Sequence, residues 1–344
     1  MKKYLLPKGN LYKANLHSHC TVSDGCLPVE EVAKRYKENG YSVLAMTDHE
    51  LLRDHSELSS DDFVMITAYE MTVREEPKTT NTNKVCHLNM YARDPHNVKQ
   101  VQFDKALSMR YADYGDDIPF DPETLEMATP TDKRTHTVEY VNKLIKEAND
   151  NGFIVCYNHP TWSNEEKEDF LDLEGLVAME IVNYGALVEG LWEYNVHEYD
   201  QMLRNGQRIA CFATDDNHNF KPFGHPLCDS FGGFTMLSMP SLSYDNVIKA
   251  IEQGDCYAST GPIIEEIYYD TEDGKVHIKT SPVSKIVLNS QGRRRTIVSS
   301  EDGSLITEAA LDIVADTPYV RVFVDDGKGG YAFSRGYFLD EFKD

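Results

Sequence analysis

The chain has 344 residues, 41% of them hydrophobic, which is enough for one large domain or for a large and a smaller one. Its formal net charge of −23 disfavours nucleic acid and anionic membranes as partners, because like charges repel at long range. No apolar run approaches the roughly 18 residues of a membrane-spanning helix, and Met1 to Leu6 lacks the apolar core of a signal peptide. The seven cysteines include no C-x-x-C pair, which favours free thiols in a reducing compartment, and we expect a cytoplasmic protein.

Short apolar runs recur along the first 220 residues and have the length and composition of strands. The predicted strands are Tyr12–Leu16, Tyr41–Met46, Phe63–Ala68, Val85–Tyr91, Phe153–Tyr157, Val177–Val182 and Ile209–Ala213. Helical spacing of apolar residues predicts helices over Val29–Tyr36, His136–Asp150 and Ala186–Arg204.

Each of these three helices runs into an Asn-Gly pair, at Gly40, Gly152 and Gly206. We interpret each glycine as a helix C-terminal cap in the left-handed conformation, because a helical pattern precedes it and a strand follows at once. A repeated order of helix, glycine and strand is typical of an α/β fold with parallel strands. Seven strands favour a TIM-like (β/α) barrel over an open sheet.

Two segments depart from this alternation. Residues 93–135 contain four prolines and many acidic residues, which predicts an insertion that overhangs the site. After a last helix near Tyr244–Gln253, short alternating strands begin at Ile263 and are separated by turn signals. We therefore predict a barrel domain over residues 1–260 and a small all-β sandwich over residues 261–344.

Metal-type ligands lie near the C-terminal ends of six of the seven predicted strands, and His87 lies near the start of the fourth strand. The strand-end residues are His17 and His19, Asp48 and His49, Glu70, His159, Glu180, and Asp215, Asp216 and His218. In parallel barrels that face carries the active site. A single histidine there is usually structural, but burying Asp24, Glu70 and Asp216 together without cations would cost several kcal/mol each. The mixed nitrogen and oxygen donors favour Zn²⁺, Mn²⁺ or Fe²⁺.

The motifs that carry these residues follow one another in a specific order. The segment Asn15–Gly25, which contains His17-Ser18-His19, and the segment Leu44–His49 resemble the opening of the PHP (polymerase and histidinol phosphatase) family of metal-dependent phosphoesterases. The resemblance covers roughly residues 10 to 258, and Tyr257–Pro262 leads into a β-sandwich as in two-domain members. The later motifs are Ala68-Tyr69-Glu70, His87, Asn158-His159-Pro160 and Asp216-Asn217-His218.

The resemblance implies a distorted seven-stranded barrel with two or three divalent metal ions. By position, one metal is expected on His17, His19, Glu70 and Asp216, a second mainly on Asp24, His49 and His218, and a third on His87 and His159, with Glu70 bridging. Cys20 replaces the usual Thr and Asp215 the usual Ser. Neither departure is expected to abolish metal binding, and Asp215 could act as a partner of a ligand.

The resemblance also implies hydrolysis of a small-molecule phosphate ester by metal-activated water. Asp48 and His218 are candidates for proton transfer, although Asp48 could equally orient His49. Arg53 and Arg74 could reach a phosphate, although exposed arginines are mostly solvated. Two alternatives stay open: a hydrolase of a non-phosphate ester, carbamate or amide on the same metals, and a catalytically silent metal-binding module.

Overall fold

The computed structural model describes residues 1–76, 82–107 and 124–342. Within those ranges no helix is long and apolar enough to cross a membrane. All seven cysteines are free thiols, and every one except Cys26 is buried. The middle of the predicted insertion, residues 108–123, lies outside the described residues.

All seven predicted strands are present, as β2–β5 and β8–β10 of the following set. The strands of the first 260 residues are β1 (Lys2–Tyr4), β2 (Asn10–Asn15), β3 (Val43–Met46), β4 (Val64–Arg74), β5 (Val85–Ala92), β6 (Gln100–Val101), β7 (Met127–Thr129), β8 (Phe153–Tyr157), β9 (Ala178–Asn183), β10 (Ala210–Thr214), β11 (Phe234–Met239) and β12 (Cys256–Ser259). Strand β4 is longer than predicted, so Glu70 lies inside the strand and not at its end. Strands β6 and β7 belong to the described flanks of the insertion and pair in parallel.

The expectation that all seven strands run in parallel is wrong for β5. Strands β2, β3 and β4 pair in parallel, as do β8, β9 and β10, but β5 is antiparallel to both of its neighbours, β4 and β8. A reversed strand presents its N-terminal end where the others present their C-terminal ends. This reversal explains why His87, near the start of β5, still reaches the same edge as the other ligands.

The predicted barrel is not closed by hydrogen bonds between the described strands. The backbone ladder runs β10-β9-β8-β5-β4-β3-β2 and then continues through β11 and β12. The sheet nevertheless curves enough to bring the C-terminal ends of β2 and β10 together. The amide of Asp216 donates to the carbonyl of His17 at 3.0 Å, and the amide of His19 donates to the carbonyl of Asn217 at 3.0 Å.

The helices are α1 (Val29–Glu38), α2 (Val138–Asp150), α3 (Lys167–Phe170), α4 (Tyr184–Val188), α5 (Val196–Arg204) and α6 (Tyr244–Gln253). The predicted glycine caps are confirmed, since Gly40, Gly152 and Gly206 have φ values of 78°, 88° and 92°. The single helix predicted over Ala186–Arg204 is wrong. Two helices, α4 and α5, occupy that segment, and the chain turns between them at Gly190, whose φ of 98° no helix accommodates.

Alternate residues of the curved sheet face its interior and form a buried cluster with α6. The small side chains of Ala14, Ala45 and Ala68 belong to this cluster. Val247 and Ile251 of α6 belong to it as well and are completely buried. This apolar cluster takes in the first residues of several strands, such as Val43 and Ala210, which leaves the opposite ends for polar side chains.

The chain after residue 260 is an all-β region of two sheets. Its strands are β13 (Ile264–Asp270), β14 (Lys275–Val283), β15 (Lys285–Ser290), β16 (Arg295–Ser299), β17 (Ile306–Asp312), β18 (Tyr319–Asp325), β19 (Tyr331–Ser334) and β20 (Tyr337–Phe338). One sheet has the order β1-β13-β14-β17, and the other contains β15, β16, β18, β19 and β20. Strand β19 pairs with β12, so this second sheet continues the sheet of the first part of the chain. The proposed domain boundary at residue 260 stays a prediction.

Candidate metal centre

Nine ligand-type side chains come together at one edge of the curved sheet. They are His17, His19, Asp24, His49, Glu70, His87, His159, Asp216 and His218, the full set predicted from the sequence. Six of the nine residues are histidines, and every one of those except His218 is buried. Residues separated by about 200 positions in the chain are therefore neighbours here.

Glu70 lies at the middle of this cluster, with five histidines around its carboxylate. Its Oε1 lies 3.3 Å from His17 Nε2, 3.1 Å from His87 Nδ1 and 3.3 Å from His159 Nε2. Its Oε2 lies 3.0 Å from His49 Nδ1 and 3.5 Å from His19 Nε2. Both oxygens thus face several possible metal positions, which is the arrangement a bridging carboxylate requires.

Asp216 and Asp24 supply the other carboxylates. Asp216 Oδ1 lies 3.1 Å from His17 Nε2 and 2.9 Å from His19 Nε2. Asp24 approaches His218 at 3.4 Å, and His19 and His49 at 3.7 Å each. The side chains of Asp24, Asp216 and His218 are 12–19% exposed, so solvent reaches the cluster on this side.

Four groups of ligand atoms are compact enough to hold an ion, because the atoms of each group lie within 4.8 Å of one another. These groups differ in part from the expected distribution of residues among the metals. His19 is also part of the group that contains Asp24, and His49 is also part of the group that contains His87. The groups are His19, Asp24, His49 and His218; His17, Glu70 and His159; His17, His19 and Asp216; and His49, Glu70 and His87.

The donor atoms of these groups fit bound metal ions. Five of them are buried and make no hydrogen bond to the described residues: His17 Nε2, His19 Nε2, His49 Nδ1, Glu70 Oε2 and Asp216 Oδ1. A buried polar atom left without a partner costs about 1–3 kcal/mol, and an uncompensated charge costs more. Five such atoms aimed at the same small volume are explained if cations occupy it.

The pKa values of two histidines and of the central carboxylate suit metal binding, whereas burial is outweighed by nearby carboxylates, which raise the pKa values, at the other four histidines, His17, His49, His159 and His218. Burial, together with the charges of His218 and His49, lowers the pKa of His19 to about 4. Burial outweighs the attraction of Glu70 and lowers the pKa of His87. Burial by itself would raise the pKa of Glu70, but the charges of His87 and His17 hold it well below its usual value. At neutral pH these two imidazoles are neutral and this carboxylate is ionised, as metal ligands must be.

Glu180, one of the metal-type residues predicted near the strand ends, lies behind the nine clustered residues and contacts two of them. It is completely buried, and its Oε1 lies 2.9 Å from His17 Nδ1 and also accepts from the Thr214 hydroxyl. Its Oε2 accepts from the amide of His159 at 3.1 Å and from Asn183 Nδ2 at 3.0 Å. A proton on His17 Nδ1 leaves Nε2 free for a metal, so Glu180 is a positioning residue for two ligands. The signal in the sequence is a single carboxylate inside an otherwise apolar strand.

Two asparagine side chains orient the ligand carboxylates. Asn158 Nδ2 donates to Glu70 Oε1 at 2.9 Å, and Asn183 Nδ2 donates to Asp216 Oδ2 at 2.9 Å. The backbone is strained at two ligands, because His159 and Asp216 have φ values of 24° and 50°. These constraints fix the carboxylates and the turns that carry them.

The hydrogen bonds of Asp48 do not support the role in proton transfer for which it was a candidate. Its carboxylate accepts from the amides of Cys20 and Ser23 at 2.9 and 3.1 Å, and from the Ser23 hydroxyl at 2.7 Å. The side chain is 1% exposed. Asp48 therefore anchors the loop that leads to Asp24, and no hydrogen bond of the described residues joins it to His49. Asp215 likewise binds the amides of residues 231–233 and the Tyr36 hydroxyl, not a metal ligand.

The two arginines proposed for phosphate lie farther out. Arg74 is on the same face of β4 as Glu70, four residues along the strand, and forms an ion pair with Glu76 at 3.2 Å. Arg53 is half-buried, and its Nη1 donates to the carbonyl of Leu52 at 3.0 Å. Among the described residues, Arg74 forms no ion pair with the nine clustered residues.

A buried ion pair links the edge of the sheet that carries the nine clustered residues to the predicted insertion. Arg134 donates to both oxygens of Glu50, at 2.5 and 2.8 Å, and to the carbonyl of Thr72 at 2.7 Å. Glu50 directly follows the ligand His49, and it also accepts from the amide of Asp104 at 3.2 Å. Both flanks of the insertion are thus tied to the strand ends that carry ligands.

The PHP domain family matches residues 14–215. No curated protein sequence matches the chain. A two-domain protein from Bacteroides vulgatus that contains a predicted PHP-like metal-dependent phosphoesterase is 13% identical, with a TM-score of 0.43 over 96% of this chain and 98% of its own.

Two further solved structures are similar over a shorter range. A proposed metal-dependent phosphoesterase from Bifidobacterium adolescentis is 14% identical, with a TM-score of 0.40 over 65% of this chain and 94% of its own. An amidohydrolase from Chromobacterium violaceum is 15% identical, with a TM-score of 0.40 over 60% of this chain and 87% of its own. The family match covers more than half of the chain and includes seven of the nine clustered residues, and the other two, Asp216 and His218, follow within three residues of its end. The chain therefore belongs to the PHP domain family.

Proposed function

We propose that the chain is a metal-dependent phosphoesterase that hydrolyses a small-molecule phosphate ester, with two or three divalent ions held by the nine clustered residues. The observation that carries the proposal is the Glu70 carboxylate, which has five histidines within 3.5 Å and a buried oxygen without a hydrogen bond. Zn²⁺, Mn²⁺ and Fe²⁺ suit this mixture of imidazole and carboxylate donors.

Divalent ions bound there would activate a water molecule and neutralise the charge that develops on the phosphoryl oxygens. The protein's own residues hold the geometry. Glu180 fixes the tautomer of His17, while Asn158 and Asn183 hold the carboxylates of Glu70 and Asp216. Preorganised ligands reduce the reorganisation that the reaction needs.

His218 is better suited to be a ligand than a proton donor. Its Nδ1 lies 3.0 Å from the backbone carbonyl of Asp216, which assigns the proton to Nδ1 and leaves Nε2 as the atom that faces Asp24. Since Asp48 is occupied by the loop after β2, we propose that the leaving alkoxide takes its proton from solvent on the exposed side of Asp216. Arg74 stays a candidate for the distal part of the substrate.

Activity measured on three model substrates tests the proposal. We expect hydrolysis of p-nitrophenyl phosphate in the presence of Mn²⁺ or Zn²⁺, and its loss in His17→Ala. Bis-p-nitrophenyl phosphate distinguishes a diesterase from a monoesterase. Hydrolysis of p-nitrophenyl acetate alone would instead support a hydrolase of non-phosphate esters, and full phosphatase activity in His17→Ala would contradict the metal mechanism.

A further inference from the structure

An exposed tryptophan borders the metal centre next to two of its ligands. The indole of Trp162 is 41% exposed, and its ring centroid lies 5.5 Å from that of His87 and 5.1 Å from that of His159. Tryptophan is highly buried on average and is enriched where proteins bind other molecules. Because this ring lies beside the clustered histidines, it is placed to contact a small-molecule ligand of that site.

The protein holds the backbone of Trp162 with buried groups. The Trp162 amide donates to Glu193 Oε2 at 2.9 Å, and Glu193 is completely buried. The other oxygen of Glu193 accepts from Asn195 Nδ2 at 2.6 Å, while Asn195 Oδ1 accepts from the Thr161 hydroxyl at 2.6 Å. The buried carboxylate of Glu193 holds the turn in place, and it therefore also fixes the backbone position from which the indole projects.

A second exposed ring stands at the opposite side of the cluster. Phe220, 62% exposed, stacks on His218 with centroids 5.5 Å apart and planes 12° apart. The ring of His49 lies 5.3 Å from that of His87 and 6.1 Å from that of His218, so it connects the two histidines that carry the aromatic contacts. The cluster thus has one exposed aromatic ring beside His87 and another beside His218.

Trp162 is the better of the two stacking surfaces. Indole offers the larger face, and offset stacking adds about 0.5–1.5 kcal/mol to the burial of apolar area. The net charge of −23 disfavours a leaving group that carries additional negative charge away from the metals. A flat, uncharged ring meets both conditions.

We propose that the substrate is a phosphate monoester whose leaving alcohol carries a planar aromatic ring, and that this ring stacks on Trp162. The inference rests on the proposed phosphoesterase activity, with the phosphate on the metals and the ring on the indole. Trp162 is then a specificity-determining residue.

Two synthetic substrates of equal bulk test the stacking contact: 2-phenylethyl phosphate and 2-cyclohexylethyl phosphate. They share the same type of alkyl leaving group, so the ratio of their kcat/KM values isolates the planar ring. We expect the wild type to prefer the phenyl compound and Trp162→Ala to lower that ratio by about fivefold, as the stacking energy implies. Trp162→Phe should restore most of the preference.

Trp192→Ala is the matched control, because Trp192 is the other tryptophan of the chain, is 72% exposed and contacts Tyr194 instead of a ligand. Its ratio should equal that of the wild type. The metal content of each variant is measured, and Trp162→Leu replaces Trp162→Ala if the alanine variant loses metal. A wild type without the phenyl preference, an unchanged ratio in the Trp162 variants, or a ratio controlled by Phe220→Ala would overturn the proposal. A wild type inactive on every phosphate ester, p-nitrophenyl phosphate included, would instead refute the proposed function.

Discussion

The substitution Glu180→Gln tests whether a residue that touches no substrate determines metal binding. Glutamine keeps the shape of the side chain but has one carboxamide oxygen and one NH₂ group. Four donors surround the native carboxylate: His17 Nδ1 and the Thr214 hydroxyl on one oxygen, and the His159 amide and Asn183 Nδ2 on the other. In either orientation of the amide, two donors face an NH₂ group that cannot accept.

The size of the effect follows from those two lost hydrogen bonds. Each buried donor left without an acceptor costs about 1–3 kcal/mol, so the variant should be about 2–6 kcal/mol less stable. Loss of the partner that orients a ligating histidine typically lowers metal affinity about 10- to 100-fold. We expect both effects, because Glu180 holds His17 and the turn at His159 together.

The assay is a metal titration of the apo protein followed by calorimetry, with thermal unfolding measured in parallel. Glu165→Gln is the matched control: Glu165 is buried and binds His136 at 2.9 Å and the Tyr157 hydroxyl at 2.5 Å, but none of the nine clustered residues. It should lower stability and leave metal affinity unchanged. Wild-type metal affinity in Glu180→Gln would refute the reasoning.

Three further predictions address the ions, a buried ion pair and pH. A chelator should lower both the melting temperature and the activity, and added Mn²⁺ or Zn²⁺ should restore them, because ions that bind only the folded state stabilise it; no change in melting temperature would count against the site. Arg134→Met leaves Glu50 buried without its partner and should cost about 3–5 kcal/mol in urea unfolding. Burial lowers the pKa of His136, but the hydrogen bond to Glu165 raises it above its usual value overall. Its stabilisation is therefore complete below about pH 6.5 and lost at higher pH, so the melting temperatures of the wild type and His136→Gln should differ more at low pH and converge as pH rises.

The strands and the nine residues that cluster at one edge of the sheet could be predicted from the sequence because both depend on local patterns. Apolar runs mark the strands, and the order of motifs from His17 to His218 marks the ligands. The direction of β5 could not be predicted in this way, since strand direction depends on pairing with β4 and β8, which local periodicity does not encode. The reversed direction of β5 accounts for the position of His87 near the start of its strand.

Side-chain roles were harder to predict where neighbours in sequence face different surroundings. Asp48 and His49 are adjacent, yet Asp48 binds the loop at Ser23 while His49 faces Glu70. Adjacent residues at a strand end point in opposite directions, so proximity to a ligand does not place a side chain in the site. The partners of Glu50 and Glu180 are likewise distant in sequence, and only the folded chain brings Arg134 and His17 to them.

The number of metal ions per chain, measured by mass spectrometry on the wild type and on Glu70→Gln, tests the central claim most directly. Glutamine keeps the volume of Glu70 but removes the charge that five histidines surround. We expect two or three divalent ions in the wild type and a loss of at least one in the variant. A wild type without divalent ions, or a variant that keeps them all at wild-type affinity, would contradict a metal centre built around Glu70.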